Sequence, residues 1–438
     1  MTATWNPDQL SERMPAAHLL TGADMDGYAV DGLRPAAVVQ PADVDGVAAV
    51  LRFATDHGLS VTAWGGGTAM GLGNRPSRLD LIVDLTRLNR ILEHRPQDLT
   101  VTVEAGVTLD ILQTTLAAHG QMLALDPPCS DRATVGGVLA ANSTGPRRYR
   151  YGTARDLLIG SRALLADGTP VRSGGKVVKN VAGYDLNKLW IGSCGSLAII
   201  VEATFKVTPM PAGLGQLVAL FTSADAAHAM AMTVTGSRLQ PLSLDLIGPP
   251  AAHRLTSGVI ADRAAHQWLL VIELGGPEQV VERTERELMS MAPTTGATAV
   301  TSLTGPQGER LRQRIRDYGR STDDLAPWIV RLSVLPSEIV QAIRAVREVA
   351  GGALPPIIAR PGSGAVFCYL PDGDVSAATS MVKRLRERID GSVVVERAPA
   401  SAKSDLDIWG LAGPDRELMQ RVKDAYDPAG TLSPGRVV

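Results

Sequence analysis

Cysteines are scarce in this sequence. There are three in 438 residues, Cys129, Cys194 and Cys368, and they lie far apart with no C-x-x-C pair. Paired or clustered cysteines are what a disulfide framework, a structural zinc site or an iron–sulfur cluster requires. The sequence therefore indicates none of these sites and fits a reducing compartment.

Long apolar runs and an excess of one charge are also missing. No apolar stretch reaches the roughly 18 residues of a membrane-spanning helix, and the N-terminal residues lack the basic and apolar regions of a secretion signal. The formal net charge is −2 at pH 7, which gives no reason to expect nucleic acid or an anionic membrane as a partner. We expect a cytoplasmic protein without membrane insertion, whose contact with the inner membrane would run through partner proteins.

Aromatic and histidine side chains are sparse. Aromatics make up 4% and hydrophobic residues 45% of the chain, so the core has to be mainly aliphatic. The 7 histidines include none after His266 and no closely spaced pair. We predict no metal site from them.

Glycine, by contrast, is plentiful and concentrated in one stretch. Residues 64–73 read WGGGTAMGLG and contain Gly65, Gly66, Gly67 and Thr68. Glycines let a backbone lie close to a ligand, and successive N–H groups there can form an anion-binding nest. The spacing matches neither the G-x-G-x-x-G fingerprint nor the Walker phosphate loop. By itself this stretch, called the glycine loop below, fits a surface turn as well as a pyrophosphate site.

Two later stretches combine glycines with small residues. ATVGGVLAANSTG contains Thr134 and the pair Gly136-Gly137 at the start of a predicted short helix, and helix N-termini suit phosphates. GSCGSLAIIVE places Gly195 before a predicted apolar strand, where a glycine allows a flat ring or ribose to approach the backbone. The basic RRYRYG segment between them fits either a nucleic-acid patch or an ion-paired loop, and the neutral net charge favours the loop.

These three stretches, in this order and at these separations, resemble the FAD-binding module of the vanillyl-alcohol oxidase/PCMH flavoprotein superfamily. The resemblance implies an α+β chain, with a two-lobed PCMH-type FAD-binding domain and a smaller α+β cap domain containing an antiparallel sheet. It also implies non-covalent FAD, because the first loop has no His or Cys at the usual position of covalent attachment. The cofactor-binding residues that it implies are Gly65, Gly66, Gly67, Thr68, Thr134, Gly136, Gly137, Asn142, Gly145, Gly195 and Ile200.

Prolines near residue 210 mark the expected domain boundary. The expected parts are an N-terminal arm at 1–34, an FAD-binding domain at 35–212 with lobes of about 35–90 and 91–212, a cap at 213–403, and a C-terminal segment at 404–438 that returns to the FAD-binding domain. In the cap, strands are predicted at 216–221, 268–273, 328–335, 365–370 and 392–396. Alternation of these strands with helices predicts a sheet with helices on one face.

Further motifs narrow the resemblance to the family of E subunits of bacterial glycolate oxidase. These are RRYRYGTARDLLIG, GGKVVKNVAGYDLNKL, an Asp-x-Trp-Gly segment and the ending DPAGTLSPGR, although Ser433 stands where many relatives have Asn. The resemblance implies an FAD-binding subunit that relays electrons or acts structurally. Its implied partners are a D-like FAD subunit and an F-like iron–sulfur subunit, with a small 2-hydroxy acid as the substrate of the complex.

The sequence identifies no catalytic residue. Oxidation of a 2-hydroxy acid needs a cation for the carboxylate and a base for the hydroxyl proton, and the H-G-D-G-N type motif of the catalytic relatives is missing. Arg331, Arg360 and Arg397 are candidate carboxylate ligands, and His228 and His253 are candidate bases, although surface or core roles explain each of them as well. A free-standing FAD-dependent lactate or glycolate dehydrogenase, and a scaffold that no longer binds FAD, remain alternatives.

Overall fold

The computed structural model describes residues 16–176, 184–260 and 266–438, together with Trp5, Leu10 and Arg13. Residues 177–183 of the GGKVVKNVAGYDLNKL motif lie outside this part. The chain divides into two compact units. The first draws on Met1–Thr144, Thr153–Met210 and Leu411–Val438, and the second on Gly145–Gly152 and Pro211–Gly410.

A small four-stranded sheet opens the first unit. Its elements are β1 (His18–Leu20), β2 (Ala37–Gln40), helix α1 (Val44–Asp56), β3 (Val61–Trp64) and β4 (Leu81–Asp84). Strand β4 lies between β2 and β3 and runs parallel to both, whereas β1 is antiparallel to β2. The apolar face of α1, including Val47 and Leu51, packs into the same core as this sheet. Because β3 ends at Trp64, the sheet delivers the glycine loop at the carboxyl end of a buried strand.

A second sheet of the first unit is antiparallel, with strand order β5-β6-β10-β8-β9. Its strands are β5 (Ile91–Arg95), β6 (Thr100–Glu104), β8 (Leu158–Leu164), β9 (Pro170–Gly174) and β10 (Ile199–Lys206), and a separate short pair consists of β7 (Gln121–Met122) and β11 (Thr208–Pro209). The helices between them are α2 (Leu109–Ala117), α3 (Val135–Ala141), α4 (Arg148–Tyr151), α5 (Ala154–Leu157) and α6 (Asn187–Trp190). Of these, α4 belongs to the second unit.

An eight-stranded antiparallel sheet forms the centre of the second unit, in the order β15-β12-β14-β13-β17-β18-β16-β19. Its strands are β12 (Gly213–Phe221), β13 (Ser243–Ile247), β14 (Trp268–Gly276), β15 (Ala299–Leu303), β16 (Trp328–Ser333), β17 (Ile357–Arg360), β18 (Ala365–Leu370) and β19 (Ser392–Arg397). The helices are α7 (Ala224–Thr235), α8 (Pro249–Thr256), α9 (Glu278–Thr294), α10 (Gly305–Asp317), α11 (Ile339–Val349) and α12 (Val375–Arg388).

Helices cover both faces of this sheet, so the expectation of helices on one face was wrong. Helices α7, α9, α11 and α12 share one apolar core, whereas α8 and α10 belong to a second core. The reason is visible in β12, where Leu217 and Ala219 belong to the first core and Val218 and Leu220 to the second. A strand that is apolar on both faces needs cover on both.

The end of the chain returns to the first unit. Helix α13 (Gly413–Tyr426) is followed by a tail in which Leu432 forms a parallel bridge with Val61 of β3. Within the described ranges, no helix combines the length and the apolar character that a membrane crossing would require.

Candidate functional site

The first unit contains a cavity where the end of β3, the start of α3 and the chain before β10 come together. The three glycine-containing stretches therefore line one concave site, which is where ligands usually bind. Of the residues predicted from the sequence, those on the cavity wall are Gly65, Gly66, Gly67, Thr68, Thr134, Gly136, Gly137, Gly195 and Ile200.

Four residues at the start of the glycine loop line this cavity with backbone N–H groups that have no backbone partner in the described part of the chain. Among the described residues, no backbone acceptor is bonded to the N–H groups of Gly65, Gly66, Gly67 or Thr68. Backbone N–H groups that lack a partner inside the protein need one from water or a ligand. Several such groups in succession suit an anion such as a pyrophosphate.

Packing within the protein requires the first two glycines. A Cβ atom on Gly66 would lie 1.7 Å from the carbonyl oxygen of Arg132, and one on Gly65 would lie 2.2 Å from Thr134 Oγ1. The Arg132 guanidinium also donates to the Gly66 carbonyl at 3.2 Å. The glycine loop thus rests directly on the segment that leads into α3. Close approach between two walls of the cavity, rather than close approach of a ligand, explains these two glycines.

Thr134 and Gly136 hold the N-terminus of α3 in place. The Thr134 hydroxyl accepts a hydrogen bond from Gly137 N–H at 3.4 Å, and Gly136 N–H donates to the Ala105 carbonyl at 2.8 Å. A Cβ atom on Gly136 would lie 2.8 Å from Ala105 Cβ. These residues therefore shape the cavity wall and join it to the chain just after β6. The N–H of Gly136 already donates to a protein carbonyl.

Two of the predicted residues, Asn142 and Gly145, are not part of the cavity wall. Asn142 ends α3 with a left-handed backbone at φ 48°, and its N–H donates to the Leu139 carbonyl. Gly145 belongs to the second unit, where its carbonyl accepts from Arg148 N–H. A cofactor contact of either residue stays a prediction.

Sequence reasoning missed Thr62, which lies on β3 and on the cavity wall. Its side chain is buried, with 3% of the residue exposed, and its hydroxyl has no partner within the described part of the chain. A buried hydroxyl without a hydrogen bond is costly, so a ligand in the cavity that bonds to it would remove that cost. The available signal was a threonine in an otherwise apolar strand just before the glycine loop.

Cys194 and Arg436 also line the cavity. Cys194 has a left-handed backbone at φ 52°, and its N–H donates to the Ala140 carbonyl at 2.9 Å. Burial raises the pKa of the Cys194 thiol to about 11, although the charge of Arg436 acts in the opposite direction. The thiol is therefore protonated at neutral pH and is a poor nucleophile. Arg436 is a charged group on a wall that otherwise consists largely of small and apolar residues.

In the second unit, arginines gather on one face of the eight-stranded sheet. Arg331 of β16 lies 2.9 Å from the Glu396 carboxylate, which also pairs with Arg320. Burial acts to raise the pKa of Glu396, but the two arginines outweigh it and hold that pKa below the usual range. This group is therefore an ionised cluster in which cations outnumber the carboxylate.

Arg360 lies on the same face. Its guanidinium carbon is 4.7 Å from the centre of the Phe367 ring, and Phe367 is the register partner of Arg331. Arg360 pairs with the Asp245 carboxylate at 3.7 Å, and its buried Nε lacks a hydrogen bond in the described part of the chain. Arg397 is the register partner of Ile329 on β16. The three candidate carboxylate ligands thus come from β16, β17 and β19 of one sheet.

The two candidate bases do not join this arginine group. A ring nitrogen of buried His228 lies 2.8 Å from the Pro336 carbonyl, and His228 is on helix α7 of the opposite core. His253 is exposed on α8. In the part of the chain that the structure describes, no group of three or more His, Cys, Asp or Glu side chains could hold a metal ion.

Two family models match this chain in sequence. One is described as the FAD binding domain and matches residues 35–174, and the other is described as the C-terminal domain of FAD linked oxidases and matches residues 215–389 and 412–437. The first model covers the glycine loop and the Thr134 segment. The second includes α13 and most of the tail.

Curated relatives align along nearly the whole chain. The glycolate oxidase subunit GlcD of Bacillus subtilis is 28% identical over 92% of this chain and 89% of that protein. D-lactate dehydrogenase of Archaeoglobus fulgidus is 28% identical, with 92% and 91% covered. D-2-hydroxyglutarate dehydrogenase of Xanthomonas citri pv. viticola is 26% identical, with 98% and 96% covered.

Solved structures share the fold at low sequence identity. The structure of p-cresol methylhydroxylase with bound substrate has a TM-score of 0.77 at 18% identity and covers 98% of this chain and 95% of its own. An alkyldihydroxyacetonephosphate synthase structure has a TM-score of 0.70 at 19% identity, with 92% and 77% covered. The α+β architecture with an antiparallel cap sheet is thus a fold that this chain shares with these structures.

Proposed function

We propose, from the premise that this chain belongs to the family of FAD-linked oxidases, that it is an FAD-binding subunit of a glycolate (2-hydroxy acid) oxidase complex. In this proposal the chain binds FAD non-covalently and relays electrons or acts structurally. A D-like FAD subunit holds the substrate, and an iron–sulfur F-like subunit carries electrons onward. The motifs shared with E subunits of glycolate oxidase support this assignment.

The observation that carries the proposal is a contrast between the two units. The first offers unpaired loop amides and a buried, unpartnered Thr62 hydroxyl around one cavity. In the second, no hydrogen bond joins a histidine to the arginine group among the described residues, and the sequence has no histidine after His266. Taking the hydroxyl proton from a 2-hydroxy acid needs a base within hydrogen-bond reach. Cofactor binding is therefore better supported than substrate turnover by this chain alone.

The residues of the cavity have distinct roles in this proposal. The amides of the glycine loop would bind the pyrophosphate, and Thr62 would donate to a polar atom of the cofactor. The apolar wall would exclude water from the bound ring. FAD itself, when bound, supplies the redox chemistry.

A second candidate function, a free-standing 2-hydroxy acid dehydrogenase, is favoured by the arginine group. Arg331 and Arg360 lie on adjacent parts of one sheet face, and guanidinium groups are well suited to carboxylates. The buried Nε of Arg360 without a hydrogen bond is a donor that a substrate carboxylate could use. The names of the relatives from Archaeoglobus fulgidus and Xanthomonas citri are consistent with this class of substrate.

An anaerobic flavin-reduction experiment separates the two functions. The full chain is purified, its flavin spectrum is recorded, and glycolate or D-lactate is added with and without the partner subunits. We expect a yellow protein whose flavin bleaches only when the partners are present. Rapid bleaching of the isolated chain would overturn the first proposal in favour of the dehydrogenase. A colourless protein that takes up no FAD would overturn both.

A pair of variants makes the dehydrogenase outcome more specific. If the isolated chain bleaches, Arg360→Met should slow bleaching at least tenfold, because a hydrogen bond to a charged group contributes about 1.5 to 3 kcal/mol. Arg388→Met is the matched control, since Arg388 is half-exposed at the end of α12 and pairs with Glu348. Equal bleaching rates in both variants would exclude Arg360 as a carboxylate ligand.

A further inference from the structure

The C-terminal tail, residues 427–438, lies beside the strand that positions the glycine loop. Val61 N–H donates to the Thr431 carbonyl at 2.7 Å, and Ser433 N–H donates to the Val61 carbonyl at 2.8 Å. These two bonds attach the tail alongside β3. Because β3 leads straight into the glycine loop, the tail is placed next to one wall of the cavity.

The side chain of Arg436 connects three parts of the first unit. Its guanidinium donates to the Met70 carbonyl at 2.7 Å, to the Asn74 carbonyl at 3.3 Å and to the Asp31 carboxylate at 2.9 Å. Met70 lies in the glycine loop, Asn74 just after it, and Asp31 in the N-terminal arm. The planar fork of an arginine can serve several acceptors at once, which a lysine ammonium cannot do with the same geometry.

Backbone contacts make the same junction tight. Asn74 N–H donates to the Arg436 carbonyl at 3.0 Å, and Ser77 N–H donates to the Pro434 carbonyl at 2.9 Å. Gly73, at φ 93°, has no room for a side chain, because a Cβ atom there would lie 2.8 Å from the Arg436 carbonyl oxygen. The end of the glycine loop is therefore shaped to receive the tail.

The pair of Arg436 and Asp31 is buried, with only 4% and 7% of the two side chains exposed. Arg436 also lines the cavity. Removing either partner of a buried ion pair leaves the other charge uncompensated, which strongly destabilises the surrounding structure. Loss of the Arg436 charge would therefore disturb the cavity wall and the N-terminal arm together.

A second buried cation attaches the tail to another wall. Lys423 of α13 donates to the Ser196 carbonyl and the Leu432 carbonyl, each at 2.8 Å, and pairs with Asp427. Ser196 follows Gly195 in the third glycine-containing stretch. Arg436 of the tail and Lys423 of α13 thus attach the tail to two of the three cavity walls.

We propose that Arg436 is a positioning residue of the cofactor site, and that the cavity takes up FAD only when the tail is docked through it. The proposal concerns how FAD is held and is the same for either reaction considered above. The free energy that couples two binding events is the same in both directions. If a docked tail favours FAD, bound FAD favours the docked tail to the same extent.

Hydrogen exchange on the unmodified full chain tests this reciprocity. The apoprotein and the FAD-loaded protein are compared peptide by peptide. We expect FAD to slow exchange both in residues 64–77 and in residues 431–438, whereas helix α11 of the second unit serves as the unchanged reference. Protection of the glycine loop with no change in the tail would overturn the proposal.

Variants of the same protein give an independent measurement. Arg436→Met should raise the Kd for FAD, measured from flavin fluorescence, at least tenfold, and Arg436→Lys should restore only part of the loss. Arg421→Met is the matched control, because Arg421 is an exposed arginine on α13, and its Kd should stay within twofold of the unmodified protein. A Kd of Arg436→Met within twofold would overturn the proposal. Neither measurement uses a substrate. Both can therefore be made, and can fail, whether or not the chain is a subunit of a glycolate oxidase complex.

Discussion

The glycine loop allows a sharp prediction for the variant Gly66→Ala. The added Cβ atom would lie 1.7 Å from the Arg132 carbonyl oxygen and 2.6 Å from its carbon. Real Cβ atoms essentially never approach other atoms closer than 3.0 Å, so the overlap is at least 3.0 − 1.7 = 1.3 Å. The neighbouring backbone cannot yield easily, because Ala133 N–H donates to Cys129 and Ala133 accepts from Leu109 N–H. The glycine loop itself has to move.

The size of this movement determines the expected loss of affinity for FAD. Hydrogen bonds from backbone N–H groups have donor–acceptor distances near 2.9 Å, and a shift of more than 1 Å breaks them. A hydrogen bond to a charged group contributes about 1.5 to 3 kcal/mol. Losing one bond to the pyrophosphate would therefore raise the Kd for FAD roughly ten- to a hundredfold, and losing two would leave the purified protein colourless.

The assay is an FAD titration of the apoprotein, with circular dichroism to confirm that the variant is folded. Gly27→Ala is the matched control, because a Cβ atom on Gly27 meets no atom within 4 Å and its backbone is not left-handed. The control should bind FAD like the unmodified protein. A folded Gly66→Ala protein that binds FAD within threefold of the control would refute the assignment of this loop to the cofactor.

Two further predictions concern buried charges. Lys423→Met leaves Asp427, which is 2% exposed, without its cation. We expect the free energy of unfolding, measured with denaturant, to fall by about 3 to 5 kcal/mol. A loss no larger than that of Arg421→Met would show that this buried ion pair does not stabilise the protein. Because the folded-state pKa of Glu396 is lowered, its ionised form stabilises the second unit above the unfolded-state pKa, and this stability is lost as the pH falls through the folded-state pKa. Thermal unfolding between about pH 3 and 6, a window around the ordinary pKa of glutamate, should show a weaker pH dependence in Glu396→Gln. An identical dependence would show that this carboxylate does not contribute.

Local patterns in the sequence singled out the three stretches that meet at the cavity, whereas the expectation that they form one site came from the family resemblance. Each stretch has its own signal, either consecutive glycines after a buried strand or a glycine pair at a helix start. Thr62 was missed because its signal, one threonine in an apolar strand, does not tell whether the hydroxyl has a partner, and only the structure shows that it is unpaired. Gly65 and Gly66 were predicted to let the backbone approach a ligand. The structure shows instead that they let the glycine loop approach Thr134 and Arg132, which are distant in sequence.

In the second unit, the sequence predicted the longer strands and missed β13, β15 and β17. These strands are short, with five, five and four residues, and their apolar residues are too few to establish a period. The placement of helices on the second face was missed for a related reason. Val218 and Leu220, which need this cover, lie with Ala219 in an uninterrupted apolar run. The period of such a short run does not distinguish a strand buried on both faces from a buried helix segment.

The position of the tail in the chain has a consequence for how the cofactor site forms. The first unit is discontinuous: its last part, Leu411–Val438, follows the Pro211–Gly410 segment of the second unit. The contacts of Val61 with Thr431 and Ser433 therefore join residues about 370 positions apart, and closing such a long loop carries an entropic cost that must be offset by the contacts formed. Arg436 adds three hydrogen bonds at the edge of the cavity, to Asp31, Asn74 and Met70. Since Arg436 lines the cavity, the cavity wall is complete only when the C-terminal segment has joined the first unit. FAD bound there, as proposed above, should add to the stability of the docked tail.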